Sequence, residues 1–204
     1  MLISFIIIHY SSDDLKSEMA RKCLEQLNSL KDGTFEIIFI NNGRRDSELK
    51  TLCDVYLECP VNSMGKARNM GFEKASGDYI CFMDNDIFVE KPFWERGIEL
   101  LKKYPDKKLI ITPIWIRSHK KYSRGELEGH VLNERTGSNC FLLRRESFLE
   151  IGKFDERIIT KDTYYNGLDG VKFTNQQVRT GYLAVYLDGY AKDLGTKNYK
   201  YIYE

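Results

Sequence analysis

Two aspartates one residue apart, Asp84 and Asp86, close the segment that runs from Asn62 as NSMGKARNMGFEKASGDYICFMDND. They follow the apolar run Tyr79, Ile80, Cys81, Phe82 and Met83, which suits a buried strand. Both carboxylates then fall at that strand's C-terminal end, where open α/β sheets bind their ligands. Such a pair suits a divalent cation holding a diphosphate, because Mg²⁺ takes one or two protein carboxylates and completes its shell with phosphate oxygens and water. A bare Asp, Asn, Asp triplet is also an ordinary polar turn, so the preceding residues matter. A helix over 64–75 would bring Arg68 and Asn69, with Lys66, close to its N-terminus, where the positive dipole end and free NH groups favour phosphate. Taken alone, Lys66 and Arg68 would equally make a solvated helix face.

The elements that must position these groups alternate as a βαβ sheet requires. Strands are expected over 4–8, 35–40, 57–60 and 78–83. Ser12 or Asp13 can cap a helix in which Leu15, Met19, Cys23, Leu27 and Leu30 recur at near-helical spacing. The run at 35–40 is short and rich in β-branched and aromatic residues, as in a fully buried parallel strand, and Asn41, Asn42 and Gly43 break it. In the second half, Pro92 suits the first turn of a helix carrying Phe93, Trp94, Ile98, Leu100 and Leu101 and ending before Pro105. A strand at 109–116 follows. Residues 117–130 lack apolar periodicity and read as a long exposed loop. Then come a strand at 139–143, a short helix at 145–151, a turn at 152–156 and a polar stretch ending near Gly170.

With 204 residues and 42% hydrophobic content, the chain can bury a sizeable core as one domain. Its formal net charge of +1, from 31 basic and 30 acidic side chains, provides no global field for nucleic acid or anionic membrane. The five cysteines show no CxxC spacing, so neither a disulfide framework nor a zinc site is indicated and a cytoplasmic home is expected. The apolar start MLISFIII is too short for a transmembrane segment and lacks a signal peptide's basic flank. Peripheral attachment at a membrane stays compatible with the tail KNYKYIYE at 197–204, which also reads as an edge strand.

The ordered set of Tyr10, Asn41, Asn42, Gly43, Gly65, Ala67, Arg68, Asn69, Gly71, Ala75, Gly77, Tyr79, Ile80 and the 84–86 triplet resembles the nucleotide-sugar half of GT-A fold glycosyltransferases, especially family 2. More loosely, Thr136 to Asn139 and the run Gly152, Lys153, Phe154, Asp155, Glu156 resemble that family's acceptor half. The resemblance implies an α/β fold: a GT-A, Rossmann-like, mostly parallel mixed sheet flanked by helices. It would form a single domain over 1–204, with 1–90 as the nucleotide-sugar-binding half and 91–204 as the acceptor half. The implied activity is transfer of a sugar from a nucleotide-diphosphate sugar to a hydroxyl acceptor, with Mn²⁺ or Mg²⁺ and inversion of configuration. A glycan, lipid-linked sugar, protein or modified nucleic-acid base could be that acceptor.

By the same resemblance, Tyr10, with His9 beside it, and Asn41 and Asn42 hold the nucleoside. Arg68 and Asn69 face the donor. Asp86 binds metal, and Asp84 holds ribose or a metal-bound water. The family's acidic pair, counted back from Gly181 and Tyr182, falls on Asp169 and Gly170, which makes Asp169 the candidate base, with Asp162 and Asp155 as weaker alternatives. Asp188 and Asp193 are candidate late metal ligands. Two positions depart from the pattern, Asn41 where an acid is usual and Gly170 where a second acid is usual. Two other readings stay open at this level. One is a nucleotidyltransferase making nucleotide sugars, although HYSSDD after the first strand lacks its glycine-rich basic loop. The other is a catalytically silent nucleotide-sugar-binding module.

Overall fold

The first strand, β1 (Ile3–His9), is buried along its whole length, and its alternation decides the layering. Phe5 and Ile7 point to one face of the sheet, where they pack with Cys23, Leu24, Phe93 and Trp94. Ile6 and Ile8 point to the other, with Phe72, Phe82, Phe148 and Phe173. Successive strand residues face opposite sides, so a continuous apolar run is what a sheet covered on both faces demands.

A computed structural model describes residues 1–10, 14–42, 47–113, 122–137, 139–157, 168–187 and 189–193. After β1 come α1 (Asp14–Ser29), β2 (Phe35–Asn41), a 3₁₀ turn at Ser47–Leu52, β3 (Val55–Glu58), α2 (Met64–Lys74) and β4 (Tyr79–Asp84). β5 (Ile87–Val89), α3 (Lys91–Lys103), β6 (Leu109–Pro113), β7 (Ser123–Leu127) and β8 (His130–Asn133) follow. The chain continues with β9 (Cys140–Arg144), α4 (Arg145–Ile151), α5 (Leu168–Thr180), β10 (Leu183–Leu187) and β11 (Ala191–Asp193).

Nine strands form one sheet in the order β3-β2-β1-β4-β9-β6-β10-β8-β7, and β5 and β11 form a separate antiparallel pair. Only β9 and β8 run against the other strands of the large sheet. This is the expected mostly parallel mixed sheet flanked by helices. The chain moves outward from β1 through β2 to β3, then returns to place β4 on β1's other side. That reversal makes the C-terminal ends of β1 and β4 a topological switch point, where open α/β sheets bind ligands.

Three expectations change. Part of the supposed loop at 117–130 is the β7–β8 hairpin, which borders the sheet beside β10. Its strand SRGEL is exposed apart from Leu127, so no apolar alternation marks it; pairing with β8 and the Arg124–Glu134 ion pair hold it. Leu15 lies on the exposed side of α1; Ala20, Cys23, Leu24 and Leu27 make the buried stripe instead. Asp169 lies in the first turn of α5 and not in a polar turn. Ser12 and Asp13, the expected caps of α1, lie outside the described residues.

Candidate active site

Strand register assembles one edge. His9 pairs with Asn41 across β1 and β2, and Ile8 pairs with Asp84 across β1 and β4, so three polar residues end neighbouring strands within one residue of the same level. Next to them α2 begins at Ser63, whose hydroxyl caps it by accepting from Lys66 N at 3.3 Å. Gly71 lets this helix lie close on the sheet: a Cβ there would come 2.8 Å from Ile40 Cδ1.

His9 is fully buried, and Asn85 Nδ2 lies within hydrogen-bond distance of its Nδ1, at 2.9 Å. Phe39 lies against the ring, with centroids 5.4 Å apart. Asn85, the middle residue of the triplet, carried no assigned role in the sequence; its task is to fix this imidazole. Tyr10 is half-buried, with Lys16 Nζ 5.8 Å from its ring centre. Asn41 Nδ2 donates to the Tyr56 hydroxyl at 3.0 Å, while its Oδ1 is buried without a hydrogen-bond partner among the described residues. Asn42 Oδ1 accepts from Ser63 N at 3.3 Å and so ties β2 to the start of α2.

Arg68 is the centre of the arrangement. Its guanidinium is buried, with Nη1 paired to Asp169 Oδ2 and Nη2 3.2 Å from Asp84 Oδ1. The Phe154 ring lies beneath it at 5.1 Å. Phe154 belongs to an aromatic stack with Phe82, Phe148 and Phe173, so the cation sits on a rigid floor. Asp169 is equally buried. This pair joins residues 101 positions apart and crosses the expected division into donor and acceptor halves. Nothing local in the sequence marks it.

Desolvation is the largest influence on Asp84 and pushes its carboxyl up to about 7, against the downward pull of Arg68. Asp86 and Asp169 add to the rise. The 30% of the Asp84 side chain left open to solvent limits it. Asp86 follows in the turn before β5 and is half-buried. Backbone register sets Asp193 opposite Ile87, the residue after Asp86.

Asn69 has a structural commitment. Its Nδ2 donates to Phe154 O at 3.0 Å and Glu156 Oε1 at 2.8 Å, and its Oδ1 accepts from Phe154 N at 3.1 Å. Expected to face the donor, this side chain instead holds the floor under Arg68. Gly65 brings the same segment in: a Cβ there would meet Asp155 O at 2.7 Å. Asp155, a weaker candidate base, accepts from Arg157 Nε at 2.9 Å, Arg157 Nη2 at 2.8 Å and Lys172 Nζ at 2.8 Å. These bonds hold its carboxyl well below the usual range, which suits it poorly to take a proton. Asp162 and Asp188 lie outside the described residues.

No group of three or more His, Cys, Asp or Glu side chains capable of holding an ion occurs among the described residues. Asp84 and Asp86 offer two hard oxygen donors, enough for a cation that fills its shell from phosphate and water.

The family model described as glycosyl transferase family 2 matches residues 4–194. The chain belongs to glycosyl transferase family 2. An uncharacterized glycosyltransferase of Haemophilus influenzae is 27% identical over 146 residues, which cover 67% of this chain and 53% of that protein. The chain thus spans about half the length of this relative. The crystal structure of GalNAc-T7 with UDP, GalNAc and Mn²⁺ superposes with a TM-score of 0.68 at 12% identity, covering 92% of this chain and 42% of that one. S. aureus TarS in complex with UDP gives 0.63 at 17% identity, covering 94% and 60%. These two structures share the GT-A fold with this family member. No helix among the described residues is long and apolar enough to cross a membrane.

Proposed function

We propose that this family 2 chain transfers a sugar from a nucleotide-diphosphate sugar to a hydroxyl acceptor, with Mn²⁺ or Mg²⁺ and inversion at the anomeric carbon. The observation that carries the reading is Arg68, buried between Asp84 and Asp169 at the switch-point edge and in the first turns of α2. Family membership favours this over nucleotidyl transfer.

His9, Tyr10, Asn41 and Asn42, at the ends of β1 and β2, are the residues assigned to the nucleoside. The unpartnered Oδ1 of Asn41 is an acceptor suited to an N–H or hydroxyl of base or ribose, and the amide does here what a carboxylate would usually do. Asp84 and Asp86 would hold the divalent ion, which as a Lewis acid offsets the negative charge that develops on the departing diphosphate. The start of α2 directs backbone NH groups and dipole at the same charge. Arg68 keeps Asp84 oriented.

Asp169 is the carboxylate assigned to the acceptor hydroxyl. To accept its proton, the ion pair with Arg68 has to open, and an incoming diphosphate competes for that guanidinium. Asp169 therefore serves the donor side through Arg68 as well as the acceptor side, and Asp169→Asn should disturb both. A fall in kcat of about 10² to 10⁴ is expected, with a rise in the donor KM. Normal kcat at saturating donor would remove Asp169 from the chemistry.

Uridine nucleotides are the first to try, since GalNAc-T7 and TarS are both structures with UDP. UDP at a hundred times its Kd should stabilise the chain by about 2.7 kcal/mol in the presence of Mn²⁺. Equal stabilisation in EDTA would contradict a metal-bridged diphosphate.

A further inference from the structure

Outside this site, one cleft concentrates positive charge that the mechanism does not use. It has a volume of about 310 Å³ and is lined by Asp155, Arg157, Lys172, Asn175, Gln176 and Arg179. Three cations therefore face one carboxylate in a chain whose net charge is only +1. Asp155 is already engaged by Arg157 and Lys172, leaving Arg179 without an ion pair among the described residues. The side-chain amides of Asn175 and Gln176 likewise make no hydrogen bond among the described residues.

Residues 172, 175, 176 and 179 follow the i, i+3, i+4, i+7 spacing of a single helical face, so α5 presents its uncommitted donors side by side. Gly152 has φ +103 and lies against Gln176: a Cβ there would come 2.9 Å from Gln176 Nε2.

We propose that this cleft is a subsite for a phosphate group carried by the acceptor. Guanidinium and amide N–H groups in one concave surface match the several acceptor oxygens of a phosphate better than a single carboxylate does. The location fits an acceptor. Asp169 sits in the first turn of the same helix, and at 1.5 Å per residue Lys172 and Arg179 lie about 5 and 15 Å further along its axis. A phosphate in the cleft is then separated from the reacting hydroxyl by a short glycosyl or polyol segment. The segment at 152–157 borders both places, with Phe154 under Arg68 and Asp155 in the cleft wall.

The acceptor role rests on the glycosyl-transfer reading above, whereas anion binding itself does not. The first arm is a titration of the full chain with inorganic phosphate, followed through the side-chain NH signals of Asn175, Gln176 and Arg179, with UDP and Mg²⁺ saturating the donor site. All three should shift together. In Arg179→Glu, affinity should fall about tenfold, since reversal both removes an attraction and adds a repulsion at an exposed position. Absence of coordinated shifts, or equal affinity in the variant, overturns the subsite. The second arm measures hydrolysis of UDP-sugars by water, which Arg179→Glu should leave unchanged. Phosphate binding without any hydrolysis in the parent overturns the acceptor assignment. The third arm compares inhibition by a soluble glycerol-phosphate oligomer with inhibition by farnesyl diphosphate in micelles, and an Arg179-dependent effect of one identifies a soluble or a lipid-borne source. Inhibition by neither, with hydrolysis active, overturns the assignment to the acceptor.

Discussion

Replacing Arg68 with methionine tests whether the buried ion pair organises the site. Methionine keeps most of the side-chain length over Phe154 and removes only the charge and its hydrogen bonds. Asp84 retains 30% side-chain exposure and can turn to solvent, but Asp169 retains 3% and has no other partner among the described residues. Stranding a buried carboxylate in this way typically costs about 3–5 kcal/mol. For a chain of this size about 1 kcal/mol moves Tm by roughly 2–4 °C, so a drop of about 6–20 °C follows. Most of that cost is the stranded charge and not the lost contact. The double variant Arg68→Met with Asp169→Leu should therefore recover most of the stability, as replacement of a buried pair by apolar groups often does. Urea unfolding followed by far-UV circular dichroism on the parent, both single variants and the double variant yields the coupling energy directly. A loss below about 1 kcal/mol for Arg68→Met, or a double variant as unstable as the sum of the singles, would refute the reasoning.

The same geometry makes three shorter predictions. Gly71→Ala should cost about 1–3 kcal/mol, because the added methyl meets Ile6 and Ile40 in the packed seam between α2 and the sheet; a thermal melt at parent level would mean the seam is loose. Asn69→Ala removes the bonds that hold Phe154 and Glu156 and should cost about 1–3 kcal/mol, with faster proteolysis within 152–157; unchanged cleavage there would show the segment holds itself. Among the five free cysteines, Cys23, Cys81 and Cys140 are buried and burial pushes the Cys23 and Cys140 thiols well up, while partial burial pushes Cys53 up to about 11, so Ellman's reagent should titrate Cys59 first in the native protein, Cys53 more slowly and the buried three only on unfolding.

The sheet was legible wherever burial on both faces left a continuous apolar run, as in β1, β2 and β4. Short range also sufficed for α2 and for the placing of Asp84 and Asp86, because capping, glycine spacing and the following strand lie within 25 residues. What escaped the sequence has no such local imprint. The β7–β8 hairpin is held at an exposed edge by strand pairing and by Arg96, Lys103 and Tyr104 on its turn residue Glu128, contacts distant in sequence. β5 and β11 are three residues each and define one another only across the fold. Asp169 falls in the polar stretch expected to end near Gly170, and only the approach of α5 to α2 shows its carboxylate on Arg68. Asn69 shows the converse case, where a residue type suited to a ligand is committed to its own chain.

The central claim, that Asp84 and Asp86 serve metal-assisted sugar transfer, is tested most directly by a panel of nucleotide-diphosphate sugars scored for release of free nucleoside diphosphate, with Mn²⁺, Mg²⁺ or EDTA. At least one sugar nucleotide should turn over with metal and not in EDTA, and Asp86→Asn should abolish that turnover while melting like the parent. Turnover in EDTA at the same rate, or an Asp86→Asn variant as active as the parent at unchanged metal concentration, would contradict the account.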